Sequence, residues 1–210
     1  MDKPGLLGLG DEIKGVTFVP LEVTTDDASL IDGVYDYAVT DRYIYVLPVK
    51  EPRIVLFDRQ GRFIRTLVKE GQGPGEFRGI LPCIQVDERN DRLFLFSNNR
   101  VWEYTLEGEF IGQSTHEYSV IYMRHIGKDR FAAISFPFQP FNGGGFGLGL
   151  FSRKGDTIAI KNDFYSFLLP HEKSGFTTSI APAYSDAQNS VLFKTGSNDT
   201  VFCISADRIS

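Results

Sequence analysis

Phe57-Asp58-Arg59-Gln60-Gly61, Tyr104-Thr105-Leu106-Glu107-Gly108 and Phe151-Ser152-Arg153-Lys154-Gly155 are three copies of one turn: an aromatic residue, three mostly polar residues, then glycine. The glycines stand at 61, 108 and 155, so both intervals are 47 residues. A turn that recurs with its flanks at one interval marks a repeat architecture, in which each unit buries its apolar face only by stacking on the next. Each glycine falls where a tight hairpin needs positive φ. The flanking runs then read as strand pairs: Ile54–Asp58 with Phe63–Val68, Val101–Thr105 with Phe110–Gln113, and Leu148–Ser152 with Thr157–Lys161.

These are the third and fourth strands of successive units. Asp-Arg pairs at 41–42, 91–92 and 129–130 lead into second strands at Tyr43–Leu47, Leu93–Ser97 and Phe131–Phe136. First strands fall in Val34–Val39, Ile80–Val86, Val120–Ile126 and Thr178–Tyr184, and a fourth unit continues through Ser190–Lys194 and Val201–Ile204. The fold class expected is therefore all-β: a propeller of antiparallel four-stranded blades at about 34–69, 78–114, 119–162 and 176–210. They form a single domain over 16–210, after a flexible start at 1–15. Val16–Glu22 is a spare strand, expected to close the ring by joining the last blade and so hiding an edge. Asp26–Ile31 is long enough for one helical turn, and no longer helical period is present.

Composition narrows the function. Lys and Arg number 22 against 27 Asp and Glu, for a net charge of −5, which lacks the basic excess that phosphate binding needs and argues against nucleic acid. No apolar run approaches the roughly 18 residues that span a bilayer. The apolar stretch in 1–8 is too short for a signal peptide. Cys83 and Cys203, the two cysteines, sit in apolar runs and read as buried free thiols.

The run Ile54–Ile64 followed by Gly71-Gln72-Gly73-Pro74-Gly75-Glu76-Phe77 resembles the NHL-type repeat. Together with Val19-Pro20-Leu21-Glu22 and Ser29-Leu30-Ile31 it resembles bacterial six-bladed, TolB-like β-propeller proteins, many of them exported and lipid-anchored. That resemblance, sharp over about residues 16–115, implies a periplasmic or cell-surface location, although no lipid-attachment cysteine stands near residue 1. Six blades at this period take about 280 residues. A chain of 210 residues is expected to be shortened, to close differently, or to complete its ring by pairing with a second copy through blade edges.

Alternation of strands separates two ends of such a ring. One end carries the short turns at 40–42, 58–61, 88–91, 106–108, 127–129 and 153–155; the other carries 70–79, 98–100, 137–145 and 195–199, longer and richer in Gly, Pro and aromatics. Binding residues concentrate on irregular loops over a rigid scaffold, which places a ligand site at the second end. First strands line the channel, making Asp36, Arg78, Tyr122 and Arg124 candidates for polar groups turned inward there. Phe138 and Phe141, beside Gly143-Gly144-Gly145, are candidates for an aromatic contact surface. Gly71–Gly75 lacks the Lys-Ser/Thr ending of a phosphate loop and is expected to carry the chain between blades while Phe77 packs inward. His116, His125 and His171 have no metal-ligand spacing, Asp36 is the one evident inward carboxylate, and no nucleophile elbow occurs, so neither metal nor cofactor is expected. The favoured reading is a non-catalytic module that binds a protein, peptide or glycan; the alternative is a lactonase- or lyase-like enzyme working in the channel.

Overall fold

The computed structural model describes residues 15–25, 27–51, 53–78, 83–118, 120, 122–134, 147–161, 183–185, 189–194 and 200–210. Among them the chain forms four antiparallel sheets, each an up-and-down run of sequence neighbours. The first is β1 (Val34–Val39), β2 (Tyr43–Pro48), β3 (Arg53–Asp58) and β4 (Phe63–Lys69). The second is β5 (Cys83–Asp87), β6 (Arg92–Ser97), β7 (Arg100–Tyr104) and β8 (Phe110–Thr115). The third is β9 (Tyr122–His125), β10 (Arg130–Ile134), β11 (Leu148–Ser152) and β12 (Thr157–Lys161). The fourth holds β13 (Ala183–Ser185), β14 (Ser190–Lys194) and β15 (Val201–Ser205). This is the blade-built, propeller-like architecture that the repeat implies.

The three recurring glycines have φ of +83°, +86° and +102°, as the hairpins demand. They do a second job at the seams between blades. A Cβ on Gly61 would stand 2.0 Å from the Pro20 carbonyl oxygen, one on Gly108 3.0 Å from that of Leu67, and one on Gly155 2.3 Å from that of Thr115. Leu67 and Thr115 belong to the outer strands of the preceding blades, so each hairpin is tucked under its neighbour's rim. Pro20 takes the corresponding place for the first blade. Its segment is anchored there by Glu22, whose N–H donates to the Gly61 carbonyl (2.8 Å) and whose Oε2 accepts from the Phe63 N–H (2.8 Å). Leu21 packs against Val46, Val55 and Phe57, whereas Phe18 is 90% exposed. Val16–Glu22 pairs with no strand among the described residues.

Because side chains alternate across a strand, each blade offers one apolar face to each neighbour. Tyr45, Leu47, Ile54 and Leu56 meet Leu93, Leu95, Trp102 and Tyr104 at the first seam. Phe94, Phe96 and Val101 meet Phe131, Ala133 and Phe151 at the second, and Ile134 and Leu150 meet Val191 and Phe193 at the third. Phe77, fully buried, packs edge-on to Trp102 with ring centres 6.4 Å apart, which is the inward packing expected of it.

Details differ from the sequence expectations in short segments. Asp27–Ile31 makes turns, with Asp27 N–H donating to Thr24 and Leu30 N–H to Asp27, because the Thr24 and Ser29 hydroxyls capture each other's backbone N–H groups. Such side-chain bonds compete with a helix. Glu88–Asn90 winds into a 3-10 turn capped by Asp87. At the last blade, Ser205 N–H donates to the Arg208 carbonyl and Ser210 exchanges two bonds with Cys203, so the chain turns back along β15 in an isolated antiparallel bridge between Ile204 and Ile209.

Candidate functional site

In each sheet the first strand runs from the blade-to-blade connection toward a short turn. Its leading residues therefore sit at the loop-rich end. There Tyr35, Asp36 and Tyr37 of β1, Cys83 of β5, and Tyr122 and Arg124 of β9 line one cavity of about 390 Å³. Three of the four inward candidates on first strands, Asp36, Tyr122 and Arg124, are thus brought together from two blades. Arg78 is exposed, lies ahead of β5 in the connecting segment, and is not part of this lining. Phe138 and Phe141 lie outside the described residues, as do the loops at 137–145 and 195–199.

The carboxylate of Asp36 is occupied in a way the sequence did not foretell. Its Oδ2 accepts from the Ile84 N–H of the second blade (2.8 Å) and its Oδ1 from the Tyr37 N–H (2.9 Å). It staples two inner strands that share no backbone ladder. Burial raises its pKa above the ordinary carboxylate range, while the two N–H bonds and the Arg124 guanidinium pull the other way. Gln85 does the same job one blade on, its amide donating to the His125 carbonyl (2.9 Å) and accepting from the His125 N–H (2.7 Å). A short polar side chain at the centre of a first strand was the available signal for both staples.

Tyr122 shares a side-chain hydrogen bond with Arg124, and burial raises its pKa. Burial also pushes the Cys83 thiol up to about 11, with Asp36 adding to the effect, which favours the protonated thiol at neutral pH. The cavity therefore offers phenol rings, a guanidinium and a bonded carboxylate. Among the described residues no group of three or more His, Cys, Asp or Glu is placed to hold a metal ion.

The glycine loop at 71–75 is closed by its own carboxylate. Glu76 Oε2 accepts from the Gly73 N–H (2.8 Å) and sits 1.8 Å from where a Gly71 Cβ would be.

The short-turn end is richer than its hairpins suggest. A cavity of about 420 Å³ opens there beside Thr40, Asp87, Asn90 and His125, and Arg124 reaches its wall as well. His125 stacks on Phe94 with ring centres 5.0 Å apart, and burial lowers its pKa against the pull of Asp87 and Asp129. Nearby, buried Glu103 takes Arg92 Nε at 2.7 Å and both Nε and Nη2 of Arg153 from the next blade. The sequence reading missed this clamp, although Glu103 stands one repeat after Leu56.

Antiparallel blades facing each other through apolar seams, with a polar cavity along the inner strands, define a β-propeller-like protein. The chain belongs to the family described as "Domain of unknown function (DUF4934)", which matches residues 1–210. Its fold is similar to that of a "Putative exported protein" from Bacteroides fragilis, with a TM-score of 0.69 and 19% identity over 90% of this chain and 52% of that one. It is also similar to a member of the DUF4221 family from Bacteroides vulgatus, with a TM-score of 0.55 and 10% identity over 86% of this chain and 57% of that one. The chain thus spans between half and three-fifths of these structures. No curated protein matches it. Among the described residues no helix is long and apolar enough to cross a membrane.

Proposed function

We propose that this protein is a non-catalytic binding module that receives part of a protein, peptide or glycan at the loop-rich mouth of its channel. The observation that carries this reading is the cavity in which Tyr35, Tyr37, Tyr122 and Arg124 converge around the Asp36 staple. Tyrosines give large contact area at small entropic cost, and a guanidinium fixes the orientation of a polar group. The protonated Cys83 and the bonded Asp36 weigh against the channel as a hydrolytic centre. Action outside the cytoplasm, on a six-bladed NHL-like ring, belongs to the same proposal. It is supported by the exported description of the Bacteroides fragilis protein.

The test is capture of immobilised glycans and peptides by the purified chain and by Arg124→Ala and Tyr122→Ala. Selective capture that both substitutions reduce at least tenfold, with unchanged melting temperature, supports the reading; one such contact is about 1.4 kcal/mol. Capture indifferent to both, or turnover of a lactone by the wild type, overturns it.

A further inference from the structure

A cavity of about 780 Å³ opens at the rim between the second and third blades, away from the channel. One wall is the outer strand β8, through Ile111, Gly112, Gln113 and Ser114; Val101 and Phe131 form the floor; the β11–β12 hairpin stands opposite. The repeat explains the room. At the first seam Leu56, Leu67 and Leu106 join one apolar core. One period on, the residues are Glu103, Ser114 and Arg153, two of them drawn into the ion pair and the third small.

The strand beside this groove is an edge guarded only at its two ends. Among the described residues β8 pairs only with β7. Native edges are guarded by charges, prolines or bulges, since a bare row of N–H and C=O groups recruits another strand. β4 carries Arg65 and Lys69 and is shifted twice against β3, and β12 ends on Lys161. β8 reads Phe-Ile-Gly-Gln-Ser-Thr, with no charge and no proline; its one register shift falls at Glu103/Tyr104 by its first residue, the Gly155 turn covers its last, Thr115, and between them the space beside Gly112 is empty to 4 Å.

Charge on the opposite wall selects the occupant. Of the carboxylates around the groove, Glu103 is paired with Arg92 and Arg153 and Asp129 with Arg153 at 3.3 Å, while Asp156 accepts the Ser152 hydroxyl at 2.8 Å and keeps its charge, one against the two cations that follow. Arg130 and Lys154 line the groove with no carboxylate at ion-pair distance among the described residues. We infer that this groove accepts an extended peptide segment by strand addition to β8, with acidic side chains at alternate positions lying against Arg130 and Lys154. Strand addition supplies affinity through main-chain bonds, and period-two alternation puts every second side chain into the groove. The site is separate from the channel mouth and does not depend on what binds there.

The probe is a capped octapeptide of alternating threonine and glutamate, titrated into isotope-labelled protein and followed by amide shifts. Saturable shifts are expected in Ile111–Thr115 and Arg153–Asp156. The threonine–lysine counterpart should bind about tenfold more weakly, the scale of one 1.4 kcal/mol contact. Arg130→Glu with Lys154→Glu should reverse that preference. Two peptides N-methylated on complementary alternate residues need no protein variant: one should lose binding and the other keep it, because only one set of N–H groups faces β8. Arg124→Ala should leave all of this unchanged. Absence of saturable shifts, equal binding of both N-methylated peptides, or unchanged preference in the double variant overturns the inference. So does a concentration-dependent doubling of mass that Gln113→Pro abolishes, which would give the edge to a second copy.

Discussion

Between the first and second blades Leu56 and Leu106 meet inside a core that also holds Tyr45, Ile54 and Trp102. One repeat later, between the second and third, the same two positions are Glu103 and Arg153. The backbone under both pairs is alike: Thr105 N–H donates to the Glu109 carbonyl and Ser152 N–H to that of Asp156, each at 2.8 Å. What the hairpin repeats is its own geometry, and what it presents to the neighbouring blade is free to change. At the first seam the rim is closed by apolar area, about 2 kcal/mol for each fully buried leucine. At the second that area is kept nearer the axis, by Phe94, Phe96, Phe131 and Phe151, while the rim is held by an ion pair whose attraction roughly repays its desolvation. The second seam is therefore the one that can open a groove without losing its core.

The largest effect is expected when half of the second seam's ion pair is placed in the first seam. Leu56→Glu buries a carboxylate in an apolar core beside Arg65, its cross-strand neighbour, which is already drawn to Glu107, and is expected to cost about 4 kcal/mol in denaturant unfolding. Adding Leu106→Arg should recover at least half of that loss.

The next effect belongs to the second seam alone. His116 follows β8, is 1% exposed, and lies edge-on to Phe151 with ring centres 5.2 Å apart; neither ring nitrogen has a hydrogen-bond partner. Burial lowers its pKa from 6.5 to about 4. The folded state thus holds the neutral ring while the unfolded chain takes a proton as pH falls through 6.5. Stability should decline between about pH 6.5 and 4 and then level, by about 3 kcal/mol in all. His116→Leu should remove that slope and, at neutral pH, gain about 1 kcal/mol by deleting two unsatisfied nitrogens. Equal slopes in the two proteins would show that His116 is not the group responsible.

The glycines sharpen the contrast further. Gly108→Ala meets the Leu67 carbonyl oxygen at 3.0 Å and Gly155→Ala meets that of Thr115 at 2.3 Å, both with positive φ. The second substitution should cost about 2 kcal/mol more than the first, since the strain at φ is common to both and the collision is not. Thermal melts of the two variants side by side would read the difference.

How much of this the sequence displays depends on whether backbone or side chain decides. Gly61, Gly108 and Gly155 announce the fold because only a residue without Cβ suits a left-handed turn lying 2–3 Å from a neighbour's carbonyl. The strands at Val34–Val39 and Leu148–Ser152 fall where apolar runs between such turns put them. The site is less legible. Asp36 reads as an inward carboxylate and does line the channel cavity, but its bond to the Ile84 N–H of the second blade depends on how the blades stack, which the sequence does not display. Arg78 reads as one of the inward residues of the second blade's first strand, but it is exposed and lies outside the cavity lining. Glu103 and Arg153 were visible all along as departures from Leu56 and Leu106. Only the three-dimensional stacking of blades shows that these two departures answer each other.

The smallest expected effect tests that last point. Glu103→Leu with Arg153→Leu gives the second seam the two hairpin residues of the first, trading an ion pair for apolar contact, an exchange that is commonly neutral or stabilising; Arg92 loses its carboxylate too but is partly exposed and keeps the Asn90 and Asp91 carbonyls. Unfolding free energy should stay within about 1 kcal/mol of the wild type. Glu103→Leu alone should cost more than the pair, because Arg153 then faces an apolar wall; its 38% exposure and its contact with Asp129 at 3.3 Å keep that cost below what a fully buried cation would incur. If the clamp instead contributes strongly to the fold, the double variant will lose several kcal/mol, and the seams will differ in strength as well as in chemistry. If it does not, the pair's place at the groove is explained by what it leaves open beside β8 rather than by what it holds together.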